Sequence, residues 1–271
     1  MDFEPAIAHP ARATVSSWFF AFSGGQLLLP EGEEILSLRP SALPWDDAAH
    51  ERHYLGRLGG MDAWATQVAQ APEGWRPVPL RTAMMAMPSH QMALASRAAQ
   101  LIEWDRSHRF CGVCGTPTQR VAHERARRCP SCGHLAYPRI TPAMMVLVWR
   151  PGQLLLARSP RFAPGVYSAL AGFVEAGETI EECVVRESAE EVSAQVGELR
   201  YFGSQSWPFP NSLMIAFTAR WQGGDIVPQP GEIEDAQWFD IDALPGIPPE
   251  FSISGFLIRG AVARMKEGLA P

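Results

Sequence analysis

Three glutamates on one predicted helix are the residues whose types and spacing indicate chemistry most clearly. Glu190 and Glu191 follow Glu187 by three and four positions, so all three lie on one side of a helix. Like charges at these spacings repel by roughly 0.2–0.5 kcal/mol per pair, and the dipole disfavours anions in the second half of a helix. A sequence that keeps this arrangement indicates a bound divalent cation. Carboxylate oxygens are ligands that suit Mg²⁺ or Mn²⁺.

The helix that must carry these glutamates is predicted to begin near Ile180. Thr179 followed by Glu182 is the pattern of a capping box, and Gly172 and Gly177 before it predict a tight loop. A mostly apolar arc of the helix is expected to face the core, and it consists of Val184, Val185, Ser188, Ala189 and Val192. The plainer alternative is a solvated acidic helix that binds nothing.

Four of the five cysteines form two Cys-x-x-Cys pairs. Cys111 and Cys114 are separated by 14 residues from Cys129 and Cys132, which is a strong signal for a zinc ribbon. Four thiolates close a tetrahedral site, so we expect one structural zinc ion per chain. The arginines between the pairs fit a solvated hairpin, the commoner case, or a contact with phosphate; they are Arg120, Arg125, Arg127 and Arg128.

Composition restricts the class of protein. At 271 residues and 46% hydrophobic, the chain can bury a full core and form two or three units. A net charge of −6 argues against nucleic-acid binding through bulk electrostatics. No apolar run approaches the ~20 residues of a membrane span, and the N-terminus lacks the pattern of a signal peptide. Together with cysteines spaced for metal rather than disulfides, this predicts a cytoplasmic protein without a membrane partner.

Changes of pattern along the chain predict three domains, residues 1–105, 106–138 and 139–271. The first is predicted to be a small α/β domain with strands at 18–22 and 26–29 and helices at 61–69 and 89–108. One sequence leaves open whether this domain is a degenerate copy of the fold that follows it.

The third domain is predicted to begin with a hairpin of buried strands and to end with a helix. The hairpin strands are 144–149 and 154–157, the later strands lie near 199–202, 213–221 and 232–239, and the helix is 253–265. Arg158 and Arg161 follow the hairpin on a loop, where either arginine is a candidate to meet substrate phosphates or to be an ordinary surface residue.

The chain resembles the Nudix hydrolases in its helix and, within that superfamily, the NADH pyrophosphatase (NudC-like) family in a second segment. Ser188 stands where the Nudix signature usually has an aliphatic residue, and Ser193 where it has glycine; the matching positions are Gly172, Glu178, Arg186, Glu187, Glu190 and Glu191. Residues 204–212, SQSWPFPNS, resemble the SQPWPFPxS element of the NADH pyrophosphatases, with Ser206 for proline. Interleaved aromatics and prolines make a stiff platform for planar rings. The order of N-terminal domain, ribbon, Nudix box and this element extends the resemblance over nearly the whole chain.

The resemblance implies a fold and a reaction. The fold is an α/β/α Nudix sandwich with a mixed sheet, preceded by a four-cysteine zinc ribbon and a small N-terminal α/β domain. The reaction is metal-dependent hydrolysis of the NAD(H) pyrophosphate to NMN(H) and AMP, with removal of NAD caps from RNA 5′ ends. The family also implies a homodimer.

The resemblance further assigns expected roles to residues. Ligands of catalytic Mg²⁺ or Mn²⁺ are expected from Glu187, Glu190, Glu191 and Glu232, with Glu234 as the alternative to Glu232. Arg186 is expected to hold a glutamate by an ion pair, and Ser193 to strain the turn after the helix if that turn needs a positive φ. Substrate contacts are expected from Tyr137, Phe173, Gln205, Trp207, Phe209 and Ser212. A hydrolase of another nucleoside diphosphate derivative such as ADP-ribose, a non-catalytic nucleotide sensor and an RNA-binding module remain open.

Overall fold

The computed structural model describes residues 2–9, 14, 16–32 and 52–271. The chain divides into two compact units, Met1–Arg139 with Pro208–Asn211 and Ile140–Trp207 with Ser212–Pro271. Residues 33–51, which belong to the predicted first domain, lie outside the described residues. No helix in the described ranges is long and apolar enough to cross a membrane.

The first unit contains a mixed sheet covered by helices. Its strands are β1 (Phe3–Pro5), β2 (Trp18–Ser23), β3 (Gln26–Pro30), β4 (Arg52–Leu58), β5 (Met61–Gln67) and β6 (Trp75–Val78), in the order β1-β4-β5-β2-β3-β6. Helices α1 (Leu80–Ala86) and α2 (Ser89–Ser107) follow, and α2 buries Leu94, Ala98 and Leu101 in the same hydrophobic cluster as the sheet. The predicted strands at 18–22 and 26–29 and the helix at 89–108 are confirmed.

The predicted helix at 61–69 is wrong, because these residues form β5 between β4 and β2. Ala63, Ala65 and Thr66 are each 0% exposed. Successive strand residues point to opposite faces, so small side chains are buried on both sides of the sheet. Alanine favours a helix in isolation, but tertiary packing overrides that preference here.

The zinc ribbon forms a small three-stranded sheet, in which β7 (Gln119–Arg120), β8 (Arg127–Arg128) and β9 (Leu135–Ala136) pair in chain order. The predicted solvated hairpin is wrong for Arg120, Arg125 and Arg127, which are held within the protein, whereas Arg128 is exposed. Arg127 Nη1 and Arg120 Nη2 lie 2.6 and 2.9 Å from the carboxylate oxygens of Asp105 on α2. Arg125 donates to the carbonyl oxygens of Ala6 and Tyr54, both at 2.7 Å.

Asp105 is the buried acceptor that these arginines share. Burial alone would raise the pKa of Asp105, but hydrogen bonds from His53 and Arg120, together with the charge of Arg120, hold this pKa well below its usual range. Arg120, Arg125 and Arg127 therefore attach the ribbon to α2 and β4, and these contacts direct their donors into the protein.

The second unit is a sheet with a helix on each face. Its elements are β10 (Thr141–Arg150), β11 (Gln153–Arg158), β12 (Leu170–Phe173), α3 (Ile180–Val192), β13 (Gln195–Trp207), β14 (Ser212–Gly223), β15 (Asp235–Asp240) and α4 (Ile253–Lys266). The strand order is β13-β14-β10-β11-β15, with β12 paired to β10 and with β10 parallel to β14.

Alternation along β10 fills both layers of this sandwich. Met144, Val146 and Val148 join the hydrophobic cluster of α3, whereas Met145, Leu147 and Trp149 join the cluster of α4. The predicted α/β/α sandwich with a mixed sheet, the opening hairpin and the C-terminal helix are thereby confirmed.

The last predicted strand, at 232–239, begins later than expected. Gly231 adopts a positive φ of 88°, and the amides of Glu232 and Ile233 both donate to the Gln229 carbonyl oxygen, at 3.3 and 3.0 Å. This turn delays β15 until Asp235. Glu232 therefore lies on a loop rather than in the sheet.

Both units repeat one pattern of strand connections. The hairpin β2–β3 corresponds to β10–β11 and the hairpin β4–β5 to β13–β14; β2 is parallel to β5 as β10 is to β14. β6 pairs with β3 as β15 pairs with β11, and a helix follows each of these edge strands. The N-terminal unit thus repeats the sheet of the second unit.

We expect Asp105→Asn to lower the free energy of unfolding by about 3–5 kcal/mol, because it leaves buried guanidinium groups without a charged partner. Glu103→Gln is the matched control on the same helix, since Glu103 pairs with Arg106 at 2.7 Å on the exposed surface. The Glu103→Gln control should lower the free energy of unfolding by less than about 0.5 kcal/mol. Urea unfolding of the full chain measures both, and equal losses would contradict the account.

Candidate functional site

Helix α3 begins as its sequence predicts. The Thr179 hydroxyl accepts from the Glu182 amide at 3.2 Å, and the Glu182 carboxylate accepts from the Thr179 amide at 2.8 Å. This reciprocal capping box satisfies two amides that no helical carbonyl can reach. It fixes the first turn, and with it the rotation of the glutamates further along.

The end of α3 is unusual for a serine. Ser193 has a φ of 57°, in the left-handed region that the Nudix signature fills with glycine. A residue with a Cβ pays roughly 1–2 kcal/mol for this conformation. The expected positive φ at this turn is therefore confirmed.

The apolar arc predicted for α3 is partly wrong. Val184, Ser188 and Val192 are fully buried, but Val185 is 47% exposed and Ala189 is also exposed. Their places inside are taken by Cys183 and Glu191. The buried Ser188 hydroxyl donates to the Val184 carbonyl oxygen at 2.7 Å, so the aliphatic residue usual at this position is replaced without leaving an unpaired hydroxyl.

Gly172 makes room for Glu187, one of the three glutamates on the helix. It lies within β12 rather than in the predicted loop, and a Cβ at this position would overlap the carboxylate of Glu187. Only glycine lets that carboxylate lie directly against the sheet. Gly177, with a φ of 88°, forms the tight turn before α3 as predicted.

Arg186 binds three carboxylates at once. Its Nε and Nη2 hold the two oxygens of Glu178 at 2.7 and 2.9 Å, while Nη1 lies 3.0 Å from both Glu187 and Glu190. Nη2 also donates to the Phe173 carbonyl oxygen at 3.0 Å, so all five N–H donors are engaged.

Glu178 had no predicted role, although it occupies a signature position. The hydrogen bond from Arg186, followed by one from the Glu175 amide, lowers the pKa of Glu178 to about 2. The carboxylate is therefore an ionised brace that keeps the Arg186 guanidinium in place. Its place in the Nudix signature, eight residues before Arg186, was the signal that could have identified it.

Glu191 is the carboxylate that Arg186 does not reach. It is 4% exposed, and its Oε2 has no hydrogen-bond partner among the described residues. Burial, then the charges of Glu187 and Glu232, raise the pKa of Glu191 to about 8. Burial and the charges of Glu190 and Glu232 also raise the pKa of Glu187, against the pull of Arg186. A buried, unpaired carboxylate beside two others fits a divalent cation, which would supply the missing positive charge.

The loop after β14 brings Glu232 toward this cluster. The amides of Val227 and Gln229 donate to the carbonyl oxygens of Val192 and Glu191, at 3.1 and 2.8 Å. Glu234, the alternative to Glu232, is instead paired with Arg158 at 2.9 Å. Arg161 and Glu232 line a common cleft of about 450 Å³.

The predicted substrate contacts lie in several places. Phe173 is 57% exposed beside Gly172 on β12. In the same unit Trp207 stacks with Phe251, with ring centroids 6.5 Å apart and planes at 16°, and both ends of the Gln205 amide bind the backbone of Phe251 and Ile253, at 2.8 Å each. Ser212 is buried at the start of β14. In the first unit, Phe209 packs beneath the guanidinium of Arg81, and Tyr137 is 52% exposed.

The ribbon cysteines form a site of different geometry. Their four Sγ atoms lie within 4.8 Å of one another, and three of the separations are 3.5–3.6 Å. A tetrahedron with Zn–S bonds of about 2.3 Å has edges of about 3.8 Å. Backbone amides of Val113 and Cys132 donate to Cys111 and Cys129 Sγ, at 3.4 and 3.5 Å, which suits thiolates. The residues fit a structural zinc ion. Among the described residues, no carboxylate group is drawn together as closely.

Three curated relatives, each called NAD-capped RNA hydrolase NudC, match almost end to end. The protein from Chromobacterium violaceum is 52% identical over 95% of this chain and 96% of its own length. The proteins from Pseudomonas aeruginosa and Deinococcus radiodurans are 44% and 45% identical, covering 100% and 98% of this chain and 98% and 94% of their own lengths.

The chain belongs to the NADH pyrophosphatase family of Nudix hydrolases.

Family descriptions match each part of this NADH pyrophosphatase family member. Residues 139–254 match the NUDIX domain, and residues 106–137 match the NADH pyrophosphatase zinc ribbon domain. Residues 16–104 match the NADH pyrophosphatase-like rudimentary NUDIX domain. The last match agrees with the repeated strand connections and answers the question that the sequence left open about the N-terminal unit.

We expect elemental analysis of untagged protein to find one zinc ion per chain. Cys114→Ser should reduce this content because it removes one of four thiolates. Cys183→Ala is the control, since Cys183 is buried on α3 in the other unit. A zinc content that follows Cys183 rather than Cys114 would refute the assignment.

Without Mg²⁺ or Mn²⁺, the protein should lose stability as pH rises from about 4.5 through about 8. The unfolded chain releases the Glu191 proton near pH 4.3, whereas the folded chain keeps it to about pH 8. In the Glu191→Gln variant, the free energy of unfolding should fall with rising pH by less than in the wild type, with a difference on the order of a few kcal/mol. Urea unfolding at several pH values measures it, with the exposed Glu181→Gln on the same helix as control. Parallel pH profiles for wild type and Glu191→Gln would show that Glu191 is not protonated when the chain is folded.

Proposed function

We propose that this protein is a Nudix diphosphatase that hydrolyses the pyrophosphate of NAD(H) to NMN(H) and AMP and removes NAD caps from RNA 5′ ends. The observation that carries the proposal is the buried Glu191 carboxylate, which has an unpartnered oxygen beside Glu187 and Glu232. The relatives at 44–52% identity are called NAD-capped RNA hydrolases, which supports this substrate class within the family.

We propose Glu187, Glu190, Glu191 and Glu232 as ligands of Mg²⁺ or Mn²⁺. A bound divalent cation supplies Lewis acidity and neutralises pyrophosphate charge. Glu232 is preferred over Glu234, because Glu232 acts electrostatically on Glu187 and Glu191 while Glu234 is occupied by Arg158. Glu232 is also the candidate base, since its exposed loop position suits proton removal from the attacking water.

Arg186 orients the ligand set and does not bind substrate in this account. Its donors are all used on Glu178, Glu187, Glu190 and the Phe173 carbonyl oxygen. Arg161 is the better candidate for a phosphate contact, because it lines the same cleft as Glu232 whereas Arg158 is held by Glu234.

We propose Phe173 and Trp207 of the second unit as contacts for substrate rings, and Tyr137 and Phe209 of the first unit as separate candidates. The exposed face of Phe173 lies one residue from Gly172, against which the Glu187 carboxylate rests. Gln205 supports the position of Trp207, because its side-chain amide donates to the Phe251 carbonyl oxygen and Trp207 stacks on the Phe251 ring. Ser212 follows the same loop and is proposed to preserve its shape.

The remaining proposals concern organisation. Three domains, residues 1–105, 106–138 and 139–271, accord with the ribbon and sheet boundaries. A homodimer follows from the family resemblance and is measurable by light scattering. A cytoplasmic location accords with cysteines arranged for zinc rather than disulfides.

Two other classes of function fit less well. A non-catalytic sensor would not need the crowded carboxylates around Glu191, where burial, followed by mutual repulsion, raises the pKa of Glu187 and Glu191. An RNA-binding ribbon would need several accessible cations, yet three of the four arginines between the cysteine pairs are engaged within the protein and Arg128 alone of the four is exposed.

The test incubates purified protein with Mg²⁺ or Mn²⁺ and measures AMP from NADH, NAD⁺ and NAD-capped RNA. Glu191→Gln should reduce turnover about 100-fold or more, since it removes a ligand at a charge-stabilised transition state. Glu181→Gln should leave turnover unchanged, because that glutamate is exposed near the start of α3. Absence of AMP from all three substrates would refute the proposal, and faster cleavage of ADP-ribose than of any of them would favour the other nucleoside diphosphate class.

A further inference from the structure

We propose that Arg158 and Glu234 are a positioning pair that holds Glu232 toward Glu191. Neither residue is proposed to touch the substrate. This inference rests on the proposed function, because it concerns the same cation site, but it assigns a role to two residues outside the ligand set.

The first end of the Glu232 loop is fixed by helix α3. The amides of Val227 and Gln229 bind the carbonyl oxygens of Val192 and Glu191, which have no acceptor role left within the helix. The loop therefore starts at a defined position beside Glu191. Beyond Gln229 the chain turns at Pro230 and Gly231 and reaches Glu232.

The second end of the loop is fixed by Arg158. Its carbonyl oxygen accepts from the Glu234 amide at 2.9 Å, and its Nε and Nη2 each lie 2.9 Å from Glu234 Oε2. The Arg158 side chain is only 14% exposed, whereas Glu234 is 51% exposed. Arg158 also lies 6.0 Å from the centroid of the Tyr167 ring, whose hydroxyl donates to Asp235 at 2.5 Å.

Electrostatics explains why the loop needs this second anchor. Glu232 belongs to the same proposed ligand set as Glu187, Glu190 and Glu191, and carboxylates that are brought together repel one another. Such repulsion favours displacement of the Glu232 turn away from the other ligands. The Arg158–Glu234 pair fixes the chain two residues from Glu232 and opposes this displacement. The Glu232 carboxylate therefore stays in position to bind a cation.

The test is a calorimetric Mg²⁺ titration of protein stripped of Mg²⁺, together with hydrogen exchange of residues 227–234. Arg158→Ala and Glu234→Ala should each weaken Mg²⁺ binding about 10–100-fold, as loss of a residue that orients a metal ligand does. The double variant should be no weaker than the worse single variant, because both break one interaction. Glu234→Gln keeps an acceptor for Arg158, so it should weaken Mg²⁺ binding less than Glu234→Ala does.

Glu198→Ala is the matched control, since it breaks the exposed pair with Arg220 at 3.0 Å elsewhere in the same unit. It should leave Mg²⁺ binding and exchange of residues 227–234 unchanged. Melting temperatures separate a positioning role from a structural one. A lower melting temperature with normal Mg²⁺ binding in the alanine variants, or additive losses in the double variant, would overturn the proposal.

Mg²⁺ binding also separates this inference from the reaction. If wild type binds Mg²⁺ but forms no AMP, the proposed function fails while the titration still decides the role of the pair. If NADH turnover is normal and the Arg158 and Glu234 variants match wild type in Mg²⁺ binding, the positioning role fails alone.

Discussion

The guanidinium of Arg186 is the interaction on which the geometry of the site depends. It joins β12 through the Phe173 carbonyl oxygen, the loop before α3 through Glu178, and α3 itself through Glu187 and Glu190. Its five donors are then exhausted, so none is left for the buried Glu191, and no described cation pairs with that carboxyl group. Gly172 completes the arrangement by letting Glu187 lie against the sheet. Arg186 thus pairs with Glu178, Glu187 and Glu190, and it leaves Glu191 without a positively charged partner.

The two units use buried charge in opposite ways on the same pattern of strands. In the first unit, Asp105 is matched by Arg120 and Arg127, and the fully buried Asp62 accepts from Tyr54 and Arg57. Hydrogen bonds hold the pKa of both aspartates below the usual range against the effect of burial, so they are stable as ionised structural groups. In the second unit, Glu191 is left unmatched and its pKa rises. The rudimentary domain is stabilised by ionised aspartates that have charged partners, whereas its counterpart buries a carboxyl group that has none.

Features that depend on neighbours within a few residues could be predicted from the sequence, whereas contacts with residues on other elements could not. The capping box at Thr179, the cysteine spacing and the glutamate trio depend on neighbours within a few residues, and the first two have the predicted geometry. The helix predicted at 61–69 failed because alanines suited a strand buried on both faces. The predicted solvated positions of Arg120 and Arg127 were wrong because their acceptor, Asp105, lies on another element. The apolar arc of α3 was displaced because contact between Gly172 and Glu187 turns acidic residues toward the sheet. The pairing that separates Glu232 from Glu234 likewise depends on Arg158, 76 residues earlier.

The most direct measurement of the central claim is the anomalous scattering of Mn²⁺ in crystals of the full chain. We expect a Mn²⁺ peak within bonding distance of Glu191, with Glu187 or Glu232 as a second protein ligand. Glu191 is buried and has an oxygen without a hydrogen-bond partner, so a cation here would pair a carboxyl group that no described cation of the protein reaches. A Mn²⁺ peak held by Glu178, Glu181 or Glu182 at the start of α3, with none beside Glu191, would contradict it.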